Sequence, residues 1–174
     1  LTGDKRLHGS IIKVTTVTTR LPRENERRRK DYIFVSKEEF LKRRKTGGFV
    51  ESQEIFGHYY GVPKKGLLES LSKGKDVLLC IDVRGALCVK KLFPRDTVLI
   101  FISAPDLKSL NYRLRLRSTE KRGPLLKRLK AAGKELAYIK YYDYGIVNKD
   151  LSYAPKELSA IIMAERLKIK KAVS

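Results

Sequence analysis

An α/β fold is predicted by three features of this 174-residue chain. Two continuous apolar runs, 77–81 (VLLCI) and 98–102 (VLIFI), have the character of buried parallel strands. Strand-like and helix-like stretches alternate along most of the chain, the pattern of a βαβα core. Residues 31–63 interrupt that alternation with closely spaced strands, which predicts a small mixed lobe on the core. In such folds ligands bind at the carboxyl ends of the parallel strands.

Residues 11–17 (IIKVTTV) are β-branched and read as the first strand. A basic loop follows, and 31–35 (DYIFV) reads as a short strand. Ser36, with Glu39 three residues on, forms a capping box for a helix that Gly47-Gly48 stops. Residues 49–55 read as a strand, 57–63 (GHYYGVP) as a loop, and a short helix then runs to a Lys73-Gly74 stop. Between the two apolar runs, 85–92 reads as helix. Residues 108–117 are predicted helical, 118–123 polar and irregular, and 124–141 helical again. Residues 144–147 form a short strand, and Pro155, suited to a first helical turn, opens the last helix. No internal repeat is present, and KIKK near the end is a basic tail.

Composition excludes several classes. The apolar runs reach five residues, far below the ~18 that span a bilayer. The opening LTGDKRLHGS has no apolar core of a signal peptide, so none is expected. Cys80 and Cys88 lack metal-ligand spacing, and His8 and His58 are far apart; neither a metal site nor a disulfide is expected, and a cytoplasmic location is. The net charge is +20, which favours a polyanionic partner without choosing one.

Arg20 and Arg23 follow a strand end and are fixed by Pro22, so two forked guanidiniums can clamp one phosphate. The same loop, with six basic residues and two acids from Arg20 to Lys30, also reads as solvated basic surface. A second basic cluster, 108–130, holds nine basic residues and one acid, Glu120. There Arg113 and Arg117 lie four apart on one helix face. Glu51 reads as a surface strand charge, Asp82 as a strand-end cap and Asn148 as a turn residue unless a ligand claims them.

Six stretches, TTRLPR, KDYIFVSKEEF, GGFVES, FGHYYGVP, DVLLCIDVRGA and VNKDL, occur in an order and spacing that resemble the guanylate kinases. The resemblance spans residues 12–165. It implies a P-loop nucleoside monophosphate kinase: a parallel-sheet core (1–30 and 64–174), a GMP-binding lobe (about 31–63) and a helical lid (about 108–130). It implies transfer of the γ-phosphoryl group of ATP to GMP, in purine nucleotide metabolism, with Mg²⁺ accompanying ATP. By the same resemblance Arg20, Arg23, Tyr32 and Tyr60 hold the GMP phosphate, and Thr16, Glu51 and Asp82 read guanine. Arg113, Arg117 and Arg128 close over the ATP phosphates as catalytic arginines, and Asn148 lies beside adenine. No protein ligand for a metal is implied, and the oligomeric state is left open.

The chain departs from the family pattern in places. No GxxxxGK[ST] loop occurs in it, although that loop cradles ATP phosphates elsewhere. The expectation is that the first strand and P-loop are missing from a chain that begins at Leu1, rather than that this is a natural relative without them. As it stands the chain is expected to be inactive alone. Asn25 and Arg29 replace glycines, Val62 a hydroxyl residue, Cys80 an acid, Arg84 a glutamine, Ser118 a glycine and Lys149 an acid. Losing the hydroxyl at Val62 is expected to weaken GMP by ~1 kcal/mol. Two alternatives stand beside the kinase. One is a pseudoenzyme of this fold, acting as a GMP-binding or protein-interaction module. The other is a basic nucleic-acid binder using Tyr138, Tyr141, Tyr142 and Tyr144 as stacking platforms. Those tyrosines read better as core and helix-end packing, and the persistence of the arginines favours the enzyme.

Overall fold

The computed structural model describes residues 7–24, 26–27, 30–117, 122–150 and 152–169, with backbone alone at 117 and 122–125. Its first elements are β1 (Ile11–Lys13), β2 (Val17–Thr18), β3 (Ile33–Phe34), α1 (Lys37–Lys45), β4 (Phe49–Ile55) and β5 (His58–Pro63). Next come α2 (Lys64–Ser72), β6 (Asp76–Leu78), α3 (Val83–Leu92), β7 (Ile100–Ser103) and α4 (Leu107–Arg117). Last are α5 (Arg122–Leu136), β8 (Tyr144–Val147) and α6 (Ala154–Leu167). They fall into two compact units, one of Leu7–Thr97 and one containing the described residues from Val98 onward.

The first unit holds a parallel pair, β1 with β6, and a four-stranded mixed sheet in the order β3-β2-β5-β4. The stretch 11–17, expected as one strand, is divided because its ends pair differently. Ile11–Lys13 runs along Asp76–Leu78, whereas Val17 and Thr18 pair with Ile33 and Phe34 on one side and with Gly61 and Tyr60 on the other. The sheet of the smaller lobe therefore recruits β2 from outside residues 31–63.

Helix α1 starts as its cap predicts, with Ser36 Oγ accepting from the Glu39 N–H at 3.2 Å. The Glu39 carboxylate turns forward to Arg43 Nε (2.7 Å) instead of back to the cap. Phe40, fully buried, carries the helix onto the sheet by stacking on Phe49 and Tyr59. Gly61 leaves the space for this: a Cβ there would lie 2.8 Å from the Phe49 ring.

Residues 58–63 are strand, where a loop over 57–63 is expected. β5 pairs antiparallel with β4 from Ile55↔His58 to Phe49↔Pro63, with a register shift near Phe49. Its two glycines and terminal proline hide the strand pattern, but Gly57 belongs to the turn and Pro63 ends the ladder. The turn is a two-residue connection in which Phe56 (φ 51°) and Gly57 (φ 81°) are both left-handed, the geometry that suits strand twist. Phenylalanine enters that region poorly, and Phe56 is 52% exposed. Phe56→Asn is accordingly expected to stabilise the chain by about 0.5–1 kcal/mol. Thermal melting checks this; a lower melting temperature for the variant contradicts it.

The other continuous runs are shorter strands than expected. β6 stops at Leu78, and Cys80 beyond it is exposed. Helix α3 begins at Val83, two residues ahead of the expected start, because Asp82 caps it by accepting from the Gly85 N–H at 2.9 Å. Val83, Ala86 and Val89 give α3 a buried stripe.

In the second unit β7 and β8 pair in parallel, Ile100↔Tyr144 to Ser103↔Val147. Leu99 and Ile146 are buried, while Val98 and Ile102 are exposed, so the run 98–102 is not buried throughout. Within the described residues β7 has β8 as its one strand partner. Asp143 joins the pair at its start, its Oδ2 accepting from the Leu99 N–H at 2.8 Å. α6 packs on β8, and α4 lies against α5.

The expected helix 124–141 ends at Leu136 and gives way to a 3₁₀ turn over Ile139–Tyr141. Such a turn has three residues per turn, which brings Tyr138 and Tyr141 to one side, ring centroids 6.1 Å apart and both exposed. For these two the expected core packing is wrong. Tyr142 instead meets Phe101 edge-on, and the Tyr144 hydroxyl donates to Glu165.

Candidate functional site

Strand alternation decides which side chains of the mixed sheet meet. Opposite residues share a face, and the register pairs Glu51 with Val62 and Gln53 with Tyr60. It also pairs Thr18 with Tyr60 and with Phe34, and Tyr32 lies two residues before Phe34. Tyr32, Phe34, Gln53, Glu51 and Tyr60 thus line one face, while Tyr59 and Gly61 point to α1 on the other.

The loop after β2 is tied down by hydroxyls. Thr18 Oγ1 donates to the Tyr59 carbonyl (3.0 Å) and accepts from the Arg20 N–H (3.2 Å), while Thr19 Oγ1 accepts from the Tyr59 N–H (3.0 Å). This threonine pair sets Arg20 beside Tyr32 and Tyr60. The Arg20 guanidinium lies over the Tyr32 and Phe34 rings, 5.4 and 5.8 Å from their centroids. Tyr32 meets Tyr60 edge-on at 6.0 Å. Burial pulls the Arg20 pKa down, but hydrogen bonds to Glu26 and Tyr60 outweigh it and hold the group above its ordinary value. Burial raises the Tyr32 hydroxyl, so it remains a donor at neutral pH. Arg20, Tyr32 and Tyr60 are thereby brought together; Arg23 joins them through Glu26, which contacts both arginines.

At the other end of this face Glu51 is 6% exposed and its Oε2 has no hydrogen-bond partner. Burial first, and the neighbouring Asp82 second, push its carboxyl up to about 7, against the opposing Gln53 side chain and Val62 N–H. α3 packs on β4 and brings Asp82 and Gly85 against it. A Cβ on Gly85 would lie 2.7 Å from Glu51 Oε2 and 3.1 Å from Asp82 Oδ1, so only glycine leaves this approach open. The Asp82 carboxylate is a helix cap rather than a strand-end cap, and Arg84 Nε lies 3.5 Å from its Oδ2. Arg84 Nη2 also donates to the Glu54 carbonyl at 2.7 Å, a tie between α3 and β4. Val62 is fully buried, and its backbone N–H donates to the Glu51 carboxylate. Thr16 is buried just ahead of β2, its carbonyl accepting from the Ile33 N–H.

In the second unit Arg113 Nη2 donates to the Asn148 carbonyl at 2.7 Å and approaches that of Lys149 at 3.5 Å. Asn148 Oδ1 is buried and has no hydrogen-bond partner. Arg128 lies within α5, and Arg117 is the last residue of α4, its side chain outside the described residues. Asn25, Arg29 and Ser118 also lie outside them.

Glu26, Gly85 and the Arg84–Glu54 tie escape the sequence reading. Glu26 has a signal there: it is one of only two acids among six basic residues. Gly85 has none, since its role is the approach of a distant strand.

A buried Glu51 carboxylate with the part-buried Asp82 beside it at one end of a sheet face, and tethered arginines at the other, on an α/β scaffold, suit the class of nucleotide-binding proteins. The family model for guanylate kinase matches residues 4–165. A guanylate kinase of Caldanaerobacter subterraneus subsp. tengcongensis is 41% identical over 154 residues, 88% of this chain and 74% of that protein. One from Clostridium tetani is 42% identical over 152 residues, 87% of this chain and 73% of that protein. The crystal structure of guanylate kinase from Anaplasma phagocytophilum superposes with a TM-score of 0.80 at 37% identity, covering 94% of this chain and 80% of that one. The chain belongs to the guanylate kinase family, and its function is that of a guanylate kinase, ATP:GMP phosphotransfer. These matches do not bear out the expectation that a P-loop segment is missing.

Proposed function

We propose that residues of the first unit hold GMP, with Arg20, Arg23, Tyr32 and Tyr60 on its phosphate and Thr16, Glu51 and Asp82 on its base. The observation that carries this is the orphaned, buried Oε2 of Glu51. A buried acceptor without a partner costs about 1–3 kcal/mol, which a guanine N–H donor would recover. Adenine presents an acceptor at the corresponding ring nitrogen, so the same carboxylate repels it; sites of this kind discriminate by ~10⁴. Arginine forks and phenolic hydroxyls suit a phosphate dianion.

In this reading the GMP lobe is about 31–63, the core 1–30 and 64–174, and the lid about 108–130, the stretch of α4 and the start of α5. Asn148 Oδ1, likewise orphaned, is the acceptor for the adenine amino group. Arg113, Arg117 and Arg128 stabilise the charge that develops as a GMP phosphate oxygen bonds to the γ-phosphorus of ATP and the bridging oxygen leaves with ADP. That nucleophile is already anionic, so no protein base is required, and positioned cations supply most of the acceleration. ATP would carry Mg²⁺ on its phosphates, where the ion would neutralise developing charge; among the described residues no group of three or more His, Cys, Asp or Glu could hold a metal. No helix among the described residues is long and apolar enough to cross a membrane. Both cysteines are free, which fits a cytoplasmic setting.

Calorimetry of the full chain with GMP, dGMP and AMP, alongside a coupled ADP-release assay, tests this. Selective binding of GMP over AMP is the expected result, and GMP-dependent ADP release would overturn the expectation that the chain is inactive alone. Equal binding of AMP, or none of GMP, overturns the site. GMP binding without turnover points instead to the binding-module alternative.

A further inference from the structure

We propose that Glu26 is the positioning residue of the phosphate clamp: its carboxylate holds the Arg20 guanidinium and the Arg23 backbone so that both forks address one dianionic phosphate. This rests on the GMP reading above and adds to it a residue outside the sheet face.

The loop from Arg20 to Lys30 contains two acids, and the fold treats them differently. Glu24 is exposed, whereas the Glu26 side chain is only 15% exposed and turns back under the arginines. Its two oxygens make three contacts. Oε1 accepts from Arg20 Nη2 at 2.8 Å and lies 3.6 Å from Arg23 Nη1; Oε2 accepts from the Arg23 N–H at 2.8 Å. With Arg20 Nη1 donating to the Leu21 carbonyl at 2.6 Å and its plane over Tyr32 and Phe34, the guanidinium has one orientation left.

Two consequences follow from elementary physics. Two guanidiniums three residues apart repel and splay unless an anion lies between them, and Glu26 supplies that anion before any ligand arrives. An arginine also carries ~2 kcal/mol of rotamer entropy, which is lost on phosphate binding unless the fork is already fixed. Glu26 therefore raises affinity for the phosphate without necessarily touching it. A scaffold residue would instead affect every ligand alike, and a tethered competitor would weaken phosphate binding.

The test compares GMP with guanosine, titrated by calorimetry and ligand-observed NMR on the full chain and on Glu26→Gln, Glu26→Asp and Glu24→Gln. Glu26→Gln is expected to weaken GMP roughly 10-fold to 30-fold, with guanosine unchanged. Glu26→Asp recovers part of the loss, and Glu24→Gln matches the native chain. Unchanged or tighter GMP binding by Glu26→Gln overturns the proposal, as does a parallel loss for guanosine. Should Glu26→Gln fail to fold, Glu26→Asp carries the comparison, and equal GMP binding by it and the native chain is the overturning result. A native chain that binds no GMP takes down the underlying reading and the proposal together.

Discussion

Glu51→Gln is expected to lose GMP while making the ligand-free chain more stable at alkaline pH. The folded carboxyl titrates at about 7, against 4.5 for the free group. The folded chain thus binds the proton more tightly than the unfolded one, and stability falls as pH rises across that window, levelling above it. The gap corresponds to about 3 kcal/mol. Glutamine has the same shape and no charge, so it escapes the decline. Chemical denaturation should find the two proteins alike near pH 4.5 and the variant more stable by about 2–3 kcal/mol at pH 8.

Binding goes the other way. Glutamine offers an acceptor and a donor where guanine requires acceptors, and GMP affinity should drop by about 10²-fold or more. If Glu51 reads guanine as proposed, the native chain should also bind GMP more tightly as pH rises through about 7, the value to which its carboxyl is pushed, since an ionised carboxylate accepts from two N–H donors. That dependence disappears in the variant. Parallel stability curves, or GMP affinity retained by Glu51→Gln, contradict the assignment. The buried carboxylate then has no functional return for the stability it costs.

How legible this was in the sequence differs residue by residue, for physical reasons. Ser36 and Pro155 mark helix starts because capping and proline geometry are local, and both helices begin where they indicate. Residues 144–147 are recovered to the residue, a short apolar run bounded by Asp143 and Asn148. The strand β5 is hidden because its identity comes from β4 across a turn built on Phe56, a residue that seldom adopts a left-handed backbone. The apolar runs mark strands correctly but overstate their length and burial; hydropathy reports what a strand is able to bury, and Ile102 stays 54% exposed while its register partner Ile146 is buried.

At the site, the arginines and tyrosines were visible as residue types in recurring motifs. Glu51 and Asp82 looked ordinary until the register set one against the other, and the orphaned oxygen is a property of three elements at once. Gly85 could not be read at all, because what it avoids is a carboxylate thirty-four positions earlier. Charge shows the same division. The excess of +20 pointed to an anion, but only the geometry separates Arg20, packed on aromatic rings and paired with Glu26, from the solvated majority.

Arg20→Met is expected to damage stability and phosphate binding together, and the two effects can be separated. Removing the guanidinium strands Glu26 with 15% of its side chain exposed and only the Arg23 contacts remaining. Losing one partner of a largely buried pair costs several kcal/mol when burial is complete; here about 2–3 kcal/mol is the expected loss, since water reaches the loop. Glu26 titrates below its ordinary value of 4.5, because the hydrogen bonds from Arg20 and the Arg23 backbone exceed the opposing effect of burial. Its contribution is therefore complete above that pH and fades as pH falls through the depressed folded value. The stability gap between the native chain and Arg20→Met should be widest at pH 7 and narrow towards pH 3. The pair Arg20→Met with Glu26→Gln should regain much of the lost stability, having no stranded charge, yet remain about 10²-fold weaker for GMP because the fork itself is gone. Lysine at position 20 is not a remedy, since a point charge does not reproduce a planar fork held between Leu21 and Glu26. Denaturation at both pH values with GMP titrations of the single and paired variants decides the matter. A paired variant that recovers GMP along with stability would show Arg20 to be a structural counterion rather than part of the clamp.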